Sequence, residues 1–277
     1  MNEIKLNVPE KEYRESEGVS QSDAKEMLIS PAHYYARITE KKEPPTDAQI
    51  IGRITHRGIL EGKFNEFCVR PRDFDGRTKE GKAWLATAKE FWGKQYPDLD
   101  FSSITTEAYR NILGMIASVK RHPIAKSILE AQGNNEVSCW KEDKETGLLL
   151  KGRADRVTTD ANGYTVVADL KTVQRGEGDM ESFSKSIFNW GYAFQAYWYS
   201  KLLFEATFFV FIVVEKEAPW AVSCYALDNE AMAYGGRRVR EVLAKIKECQ
   251  DKNEWPAYGS DMQTIGLPEW VMRRENL

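Results

Sequence analysis

The chain has 277 residues, 42% of them hydrophobic, with eight Trp, twelve Tyr and twelve Phe, enough for a sizeable core in one large domain or two small ones. There is no run of eighteen apolar residues, and the opening MNEIKLNVPEKEYRESEG is polar, so neither a membrane span nor a secretory signal is expected; the reading is a soluble, cytoplasmic protein with no membrane partner. A net charge of −3 and a pI near 5.8 exclude a broad basic coat for nucleic acid but leave room for a local basic groove.

Residues 1–18 lack periodicity and read as a loose lead-in. Ser20 or Ser22 suits the N-cap of a short helix running to Ser30, and Pro31 suits the first turn of the next. Pro44–Pro45 marks a break. Ile50, Ile51, Ile54 and Leu60 follow helical spacing and predict a helix from Asp47 to Glu61. Residues 66–70 suggest a short strand, and two or three helices are expected between Lys79 and Gln132, ended by the glycine and asparagines at 133–135. Strands follow at 136–142, 147–158 and 164–172, the last two joined by Asp160-Ala161-Asn162-Gly163, a hairpin signal. Helices at 179–188 and 190–204, the apolar strands TFFVFIVVE and WAVSCYAL, and a helix from Asn229 to Lys252 complete the pattern. This order predicts one α/β domain over 1–277: a mainly helical part (19–132), an α/β catalytic core with a mixed central sheet flanked by helices (133–253) and a C-terminal tail (254–277).

The four cysteines (Cys68, Cys139, Cys224 and Cys249) form no CxxC pair, which speaks against structural zinc or an iron–sulfur cluster and for reduced thiols. The chemistry lies elsewhere. In LLLKGRADRV, Lys151, Arg153 and Asp155 share one strand face; in YTVVADLKT, Asp169 and Lys171 share one. A hairpin joining these strands brings Asp155 and Asp169 to one point. Two buried carboxylates repel unless a cation lies between them, and oxygen ligands favour Mg²⁺, with Mn²⁺ able to substitute. Lys171 is then placed to orient a water or neutralise a phosphate, which is what phosphodiester hydrolysis requires. Asp-x-Lys also occurs at strand ends as a merely solvated pair.

The segment from Asp155 to Lys171 resembles the PD-(D/E)xK nuclease core, with Ala154 where that motif has proline. GRITHRGILEG, carrying His56 four residues after Gly52, resembles a RecB-like histidine motif, and Gln195 with Tyr199 matches the Gln-xxx-Tyr helix of that group. SQSDAKEMLISPAHYYAR and EVSCWKEDKETGLLLKGRAD resemble the RecE-type (exonuclease VIII) nuclease domain, over about Val19 to Lys252. The resemblance implies a restriction-endonuclease-like fold with a helical N-terminal addition. It implies metal ligation by His56, Asp155, Asp169 and the Leu170 carbonyl. It further implies 5′ to 3′ digestion of linear double-stranded DNA from its ends, leaving 3′ single strands, by a toroidal homo-oligomer working with a single-strand annealing protein in bacterial cytoplasm, whether the source is a bacterium or a phage.

Other residues carry weaker signals. A helix histidine such as His56 is often structural. Gln195 and Tyr199 share a helix face, where they either serve the site or pack in an aromatic-rich segment. Glu136 opens its strand as a further metal ligand or a solvated acid. Arg53, Arg57, Arg153, Arg72 and Arg77 are candidate DNA phosphate contacts, though such runs are usually a solvated face. A structure-selective or nicking endonuclease using the same site, a RecB-like nuclease serving a helicase, and a non-catalytic DNA-binding scaffold stay open as alternatives.

Overall fold

The computed structural model describes residues 2–40, 46–63, 66–96, 101–259, 261–269 and 271; the predicted break at Pro44–Pro45 and parts of the C-terminal tail lie outside them. The elements in chain order are β1 (Asn2–Lys5), α1 (Glu10–Glu15), β2 (Val19–Ser20), α2 (Gln21–Ala24), α3 (Pro31–Thr39), α4 (Asp47–Leu60), β3 (Cys68–Val69), α5 (Lys79–Gln95), β4 (Ser103–Ile104), α6 (Thr106–Arg121) and α7 (Pro123–Glu130). They continue with β5 (Gly133–Glu142), β6 (Leu149–Thr159), β7 (Thr165–Val173), α8 (Met180–Asn189), α9 (Tyr192–Tyr197), β8 (Phe208–Glu215), β9 (Val222–Ala226) and α10 (Asn229–Lys252). The main sheet is mixed, in the order β1-β5-β6-β7-β8-β9, with β2 added beside β6. Neighbours run antiparallel except β7 with β8 and β2 with β6. The expected central mixed sheet flanked by helices is the observed architecture.

Alternation along β7 and β8 divides the core. Ala168, Leu170, Ile212 and Val214 face α4, α6 and α7 on one side of the sheet. Val167, Phe209, Phe211 and Val213 face α8 and α9 on the other. Both faces are covered, as the near-continuous apolar run of β8 requires. A third cluster packs Leu150, Trp198 and the apolar stripe of α10 (Val239, Leu243, Ile246) against residues 19–34. Side chains at Ser20, Ser30, Thr46 and Asp228 cap α2, α3, α4 and α10, and Thr46 with Gln49 completes a capping box. Among the described residues no helix is long and apolar enough to cross a membrane, and all four cysteines are free thiols.

Several boundaries differ from expectation, each for a local reason. The supposed lead-in is ordered: β1 pairs with β5, an association with a distant partner that no local pattern announces. Gly133, Asn134 and Asn135 do not end the helical block but begin β5; a Cβ at Gly133 would collide with the β6 backbone at Val157 and Thr158, so glycine is there for close approach. The strand at 66–70 shrinks to Cys68–Val69, which pairs with the unforeseen β4. The helix predicted to run to Ser30 is α2 followed by a 3₁₀ turn over Lys25–Leu28. The helix predicted at 190–204 starts only after Gly191, whose φ of 63° sets a left-handed turn, and passes into a π-helical stretch over Trp198–Leu203.

α10 reaches α9 through two glycines. A Cβ on Gly235 would strike the Ala193 carbonyl, and one on Gly236 would press on the Tyr197 ring. Gly235→Ala therefore separates two opposed effects. Helix propensity alone would stabilise by about 1 kcal/mol, whereas overpacking against backbone costs about 1–3 kcal/mol. We expect net destabilisation in denaturant unfolding; a stabilised variant would show that α9 and α10 are not in the close contact described.

Candidate active site

The site lies in a fork of the sheet. β6 pairs with β7 only from Arg156 to Thr159, and β2 joins β6 at Leu150 and Lys151. Between these stretches β6 and β7 splay apart. Continuing the β6–β7 register sets Asp155 opposite Asp169, and continuing that of β5–β6 sets Glu136 opposite Asp155. Glu136 has a φ of 51°, which breaks the ladder there. In the fork the Asp155 carboxylate replaces a strand carbonyl: its Oδ2 accepts the Leu170 N–H at 2.8 Å. Because the N–H and C=O of a strand residue point to the same edge, the Leu170 carbonyl faces the fork as well.

Cations and amides close around the two carboxylates. His56 on α4 brings Nδ1 to 3.3 Å from Asp155 Oδ2. Lys171 Nζ lies 2.6 Å from Asp169 Oδ2 as a buried ion pair. Gln195 Nε2 donates to Asp169 Oδ1 at 2.6 Å, and the Lys171 ammonium sits 4.9 Å from the Tyr192 ring centroid.

The charges are interlocked. Burial works against ionisation of Asp155, but His56, Lys171 and the Leu170 N–H together hold its pKa below the usual carboxylate range. At Asp169 burial, reinforced by Asp155, outweighs Lys171 and raises the pKa. Burial would lower His56 and Lys171, yet their aspartate partners keep both raised. Glu136 is pushed up to about 7, first by burial and then by Asp155. The centre thus holds more acid than its two cations comfortably neutralise.

A cleft of about 1070 Å³ approaches from the Asp155 side; His56, Glu136, Arg153 and Tyr199 line it, together with Leu6 to Glu10 of the N-terminal segment. Among the described residues no three His, Cys, Asp or Glu side chains already stand as a metal cage; His56 and Lys171 occupy the carboxylate oxygens instead.

A family model described as "PDDEXK-like domain of unknown function (DUF3799)" matches residues 20–267. The chain belongs to that family. No curated protein matches. Among solved structures, an Eubacterium rectale protein described as a putative exonuclease superposes with a TM-score of 0.61 at 12% identity, covering 98% of each chain; at that identity the likeness is one of fold. The SSO0001 structure, at 19% identity over 74% of this chain and 88% of its own, has a TM-score of 0.31 and carries no argument. The PDDEXK-like assignment places the chain in the PD-(D/E)xK nuclease superfamily; the finer likeness to RecE-type nucleases stays an inference from the motifs.

The structure brings His56 onto Asp155 and both Lys171 and Gln195 onto Asp169, with the two aspartates facing across the fork, and sets Glu136 and Tyr199 on the cleft wall. The arginines are distributed otherwise. Arg153 lines the cleft but is bound inward, donating to Ser138 Oγ at 3.0 Å and the Val8 carbonyl at 2.7 Å and lying 4.5 Å from the Tyr13 ring centroid. Arg57 lines it too and forks onto Glu66; Arg53 lines it and reaches Ser102 Oγ at 3.3 Å. Arg72 and Arg77 are exposed and do not line the cleft, and Arg77 folds back on Asp75.

The sequence reading missed the N-terminal wall. Lys151, buried on the face of Asp155, donates to the carbonyls of Tyr13 at 3.2 Å, Arg14 at 3.3 Å and Ser16 at 2.5 Å. Its place beside Arg153 and Asp155 was legible; its partners were not. Lys151→Met keeps the aliphatic stem and leaves three carbonyls without their donor, at about 1–3 kcal/mol. Limited proteolysis should then cut within residues 1–18 faster than in the unchanged protein while the core survives. Equal cutting would mean that Lys151 does not tether this segment.

Proposed function

We propose that the protein is a Mg²⁺-dependent exodeoxyribonuclease that hydrolyses linear double-stranded DNA from its ends, 5′ to 3′, and leaves 3′ single strands for recombination by strand annealing. The observation that carries the reading is the Asp155, Asp169, Lys171 and Gln195 cluster, reached on the Asp155 side by an open cleft. The direction, the annealing partner and a toroidal homo-oligomer rest on the motif resemblance.

The donor set fits a hard divalent cation: two carboxylates and a main-chain carbonyl supply oxygens, and among the described residues the Lys171 ammonium is the one cation on the buried Asp169 Oδ2. Asp155, Asp169 and the Leu170 carbonyl would hold the ion, with His56 and Glu136 at its margin. When bound, it would supply Lewis acidity toward a phosphoryl oxygen and compensate the surplus acid. The remaining work belongs to the chain. Gln195 fixes one Asp169 oxygen, so that the other keeps a single orientation. Lys171, held over Tyr192, presents a cation to the non-bridging phosphate oxygens as charge builds in the transition state. Tyr199, whose pKa burial raises well above its ordinary value, stays neutral and contributes a hydroxyl to the cleft wall.

Linear DNA labelled separately at the 5′ and the 3′ ends, with Mg²⁺ and with chelator, tests the proposal. Release of 5′ label first, no loss in chelator and no cutting of covalently closed circles are expected. Asp169→Ala and Lys171→Ala should each slow digestion about 100-fold or more. Cleavage of closed circles would replace the exonuclease by an endonuclease, and undiminished digestion by Asp169→Ala would overturn the site.

A further inference from the structure

The cleft reaches the carboxylates from the Asp155 side; beyond Asp169 and Lys171 the protein surface is of another kind. α8 buries Phe183 against Phe211 and Tyr225, yet its last turn leaves Phe188 69% exposed and Trp190 64% exposed. Single exposed apolar side chains need no explanation. Trp190 is set apart by its place: its carbonyl accepts Lys25 Nζ at 2.8 Å, and Lys25 lies within electrostatic reach of both Asp169 and Lys171. We propose that Trp190 is a base-stacking ledge for an unpaired nucleotide of the DNA strand that crosses the cleavage site. The inference rests on the nuclease reading above and adds to it a substrate feature, a separated strand.

Three observations support nucleobases as the occupant. The first is continuity with the centre. Trp190 and Gly191 form the turn into α9; the Gly191 carbonyl accepts the Gln195 N–H at 3.1 Å, and Gln195 grips Asp169. Tyr192, next in the chain, lies under the Lys171 ammonium. The turn that carries Trp190 is therefore one helical turn from Gln195.

The second is charge. Lys25 donates to the Trp190 carbonyl at 2.8 Å, and Asp169 and Lys171 both act on its charge. Residues Ser20 to Asp23, just before it, line the cleft. One short stretch of chain thus runs from the cleft to the turn that carries Trp190 and sets an ammonium on its main-chain carbonyl, a cation within reach of the phosphate of a nucleotide stacked there.

The third is rigidity. Trp190 N–H bonds the Ser186 carbonyl, Gly191 N–H bonds that of Phe188, and the left-handed Gly191 at φ 63° fixes the turn. The turn that carries Trp190 is held in this way, so little main-chain freedom is lost when a base settles on its ring. Stacking is open to any base but needs its face, which a duplex interior does not offer. The ledge would thus favour DNA whose end is frayed beside the cleavage site.

The test uses the full-length protein in chelator, with labelled single-stranded oligonucleotides carrying one abasic site at successive positions. For the unchanged protein, affinity should fall about 5- to 100-fold when the missing base is at one particular position. Trp190→Ala should lose the same factor on intact DNA and become indifferent to the abasic site there, whereas Trp190→Phe should keep most of both. Phe188→Ala, made separately as a control two residues away, should leave the profile as it is, and unchanged thermal midpoints for Trp190→Ala would exclude misfolding as the cause. An abasic profile in Trp190→Ala identical to that of the unchanged protein would overturn the ledge while leaving the nuclease reading intact. So would a change of oligomeric state in light scattering with that profile unaltered, since the ring would then face another protein copy. If the unchanged protein neither binds nor digests DNA, the nuclease reading falls and the ledge with it.

Discussion

The hydrogen bond from the Leu170 N–H to the Asp155 carboxylate organises this molecule. A strand that leaves its neighbour exposes main-chain amides, and a buried unpaired amide is costly. Here a side-chain carboxylate takes the amide, so β7 can diverge from β6 without loss. The divergence makes the fork, and the fork is where Asp169, Lys171 and the Leu170 carbonyl meet the cleft. Fold and chemistry thus share one atom: Asp155 Oδ2 keeps the sheet together and also faces His56.

The fork imposes an electrostatic constraint that the surrounding elements answer. Asp155, Asp169 and Glu136 converge through strand register alone, and burial penalises each of them. α4 answers with His56, β7 with Lys171 and α9 with the Gln195 amide. Helices on both faces of the sheet are needed for this: α4 belongs to the layer over Leu170 and Ile212, and α9 to the layer over Phe211 and Val213. The glycines of α10 let α9, which carries Gln195, lie close. The remaining surplus of acid gives the site its appetite for positive charge, whether from a divalent cation or from the ammonium groups already present.

Much of this was legible because it is local. Alternation along β6 and β7, the Asp160–Gly163 turn and the capped helix Asn229–Lys252 are short-range patterns, and the observed elements match them within a few residues. The convergence of Asp155 with Asp169 followed from a hairpin and a period of two. The spacing of Gln195 on a helix was readable, but its grip on Asp169 was a matter of tertiary approach. What stayed hidden is non-local: β1 finds β5 more than a hundred residues away, and Lys151 binds carbonyls whose side chains say nothing about it. The arginines show the same limit from the other side. Sequence makes each of them a free cation, whereas in the fold Arg57, Arg77 and Arg153 already have acceptors.

Those internal pairings bear on how a mildly acidic chain would hold DNA. Affinity from counterion release scales with the number of phosphates neutralised, and an arginine bound to its own protein neutralises none unless it first gives up that partner. Arg57 would have to leave Glu66, and Arg153 would have to release the main chain that walls the cleft. The charges nearest the scissile bond therefore favour positioning over grip. On the nuclease reading, retention then depends on enclosure by the N-terminal wall, contacts at the catalytic centre and stacking beyond it, or on a ring closed by further copies, none of which needs a basic surface. That is the physical sense in which a pI near 5.8 and a DNA substrate are compatible.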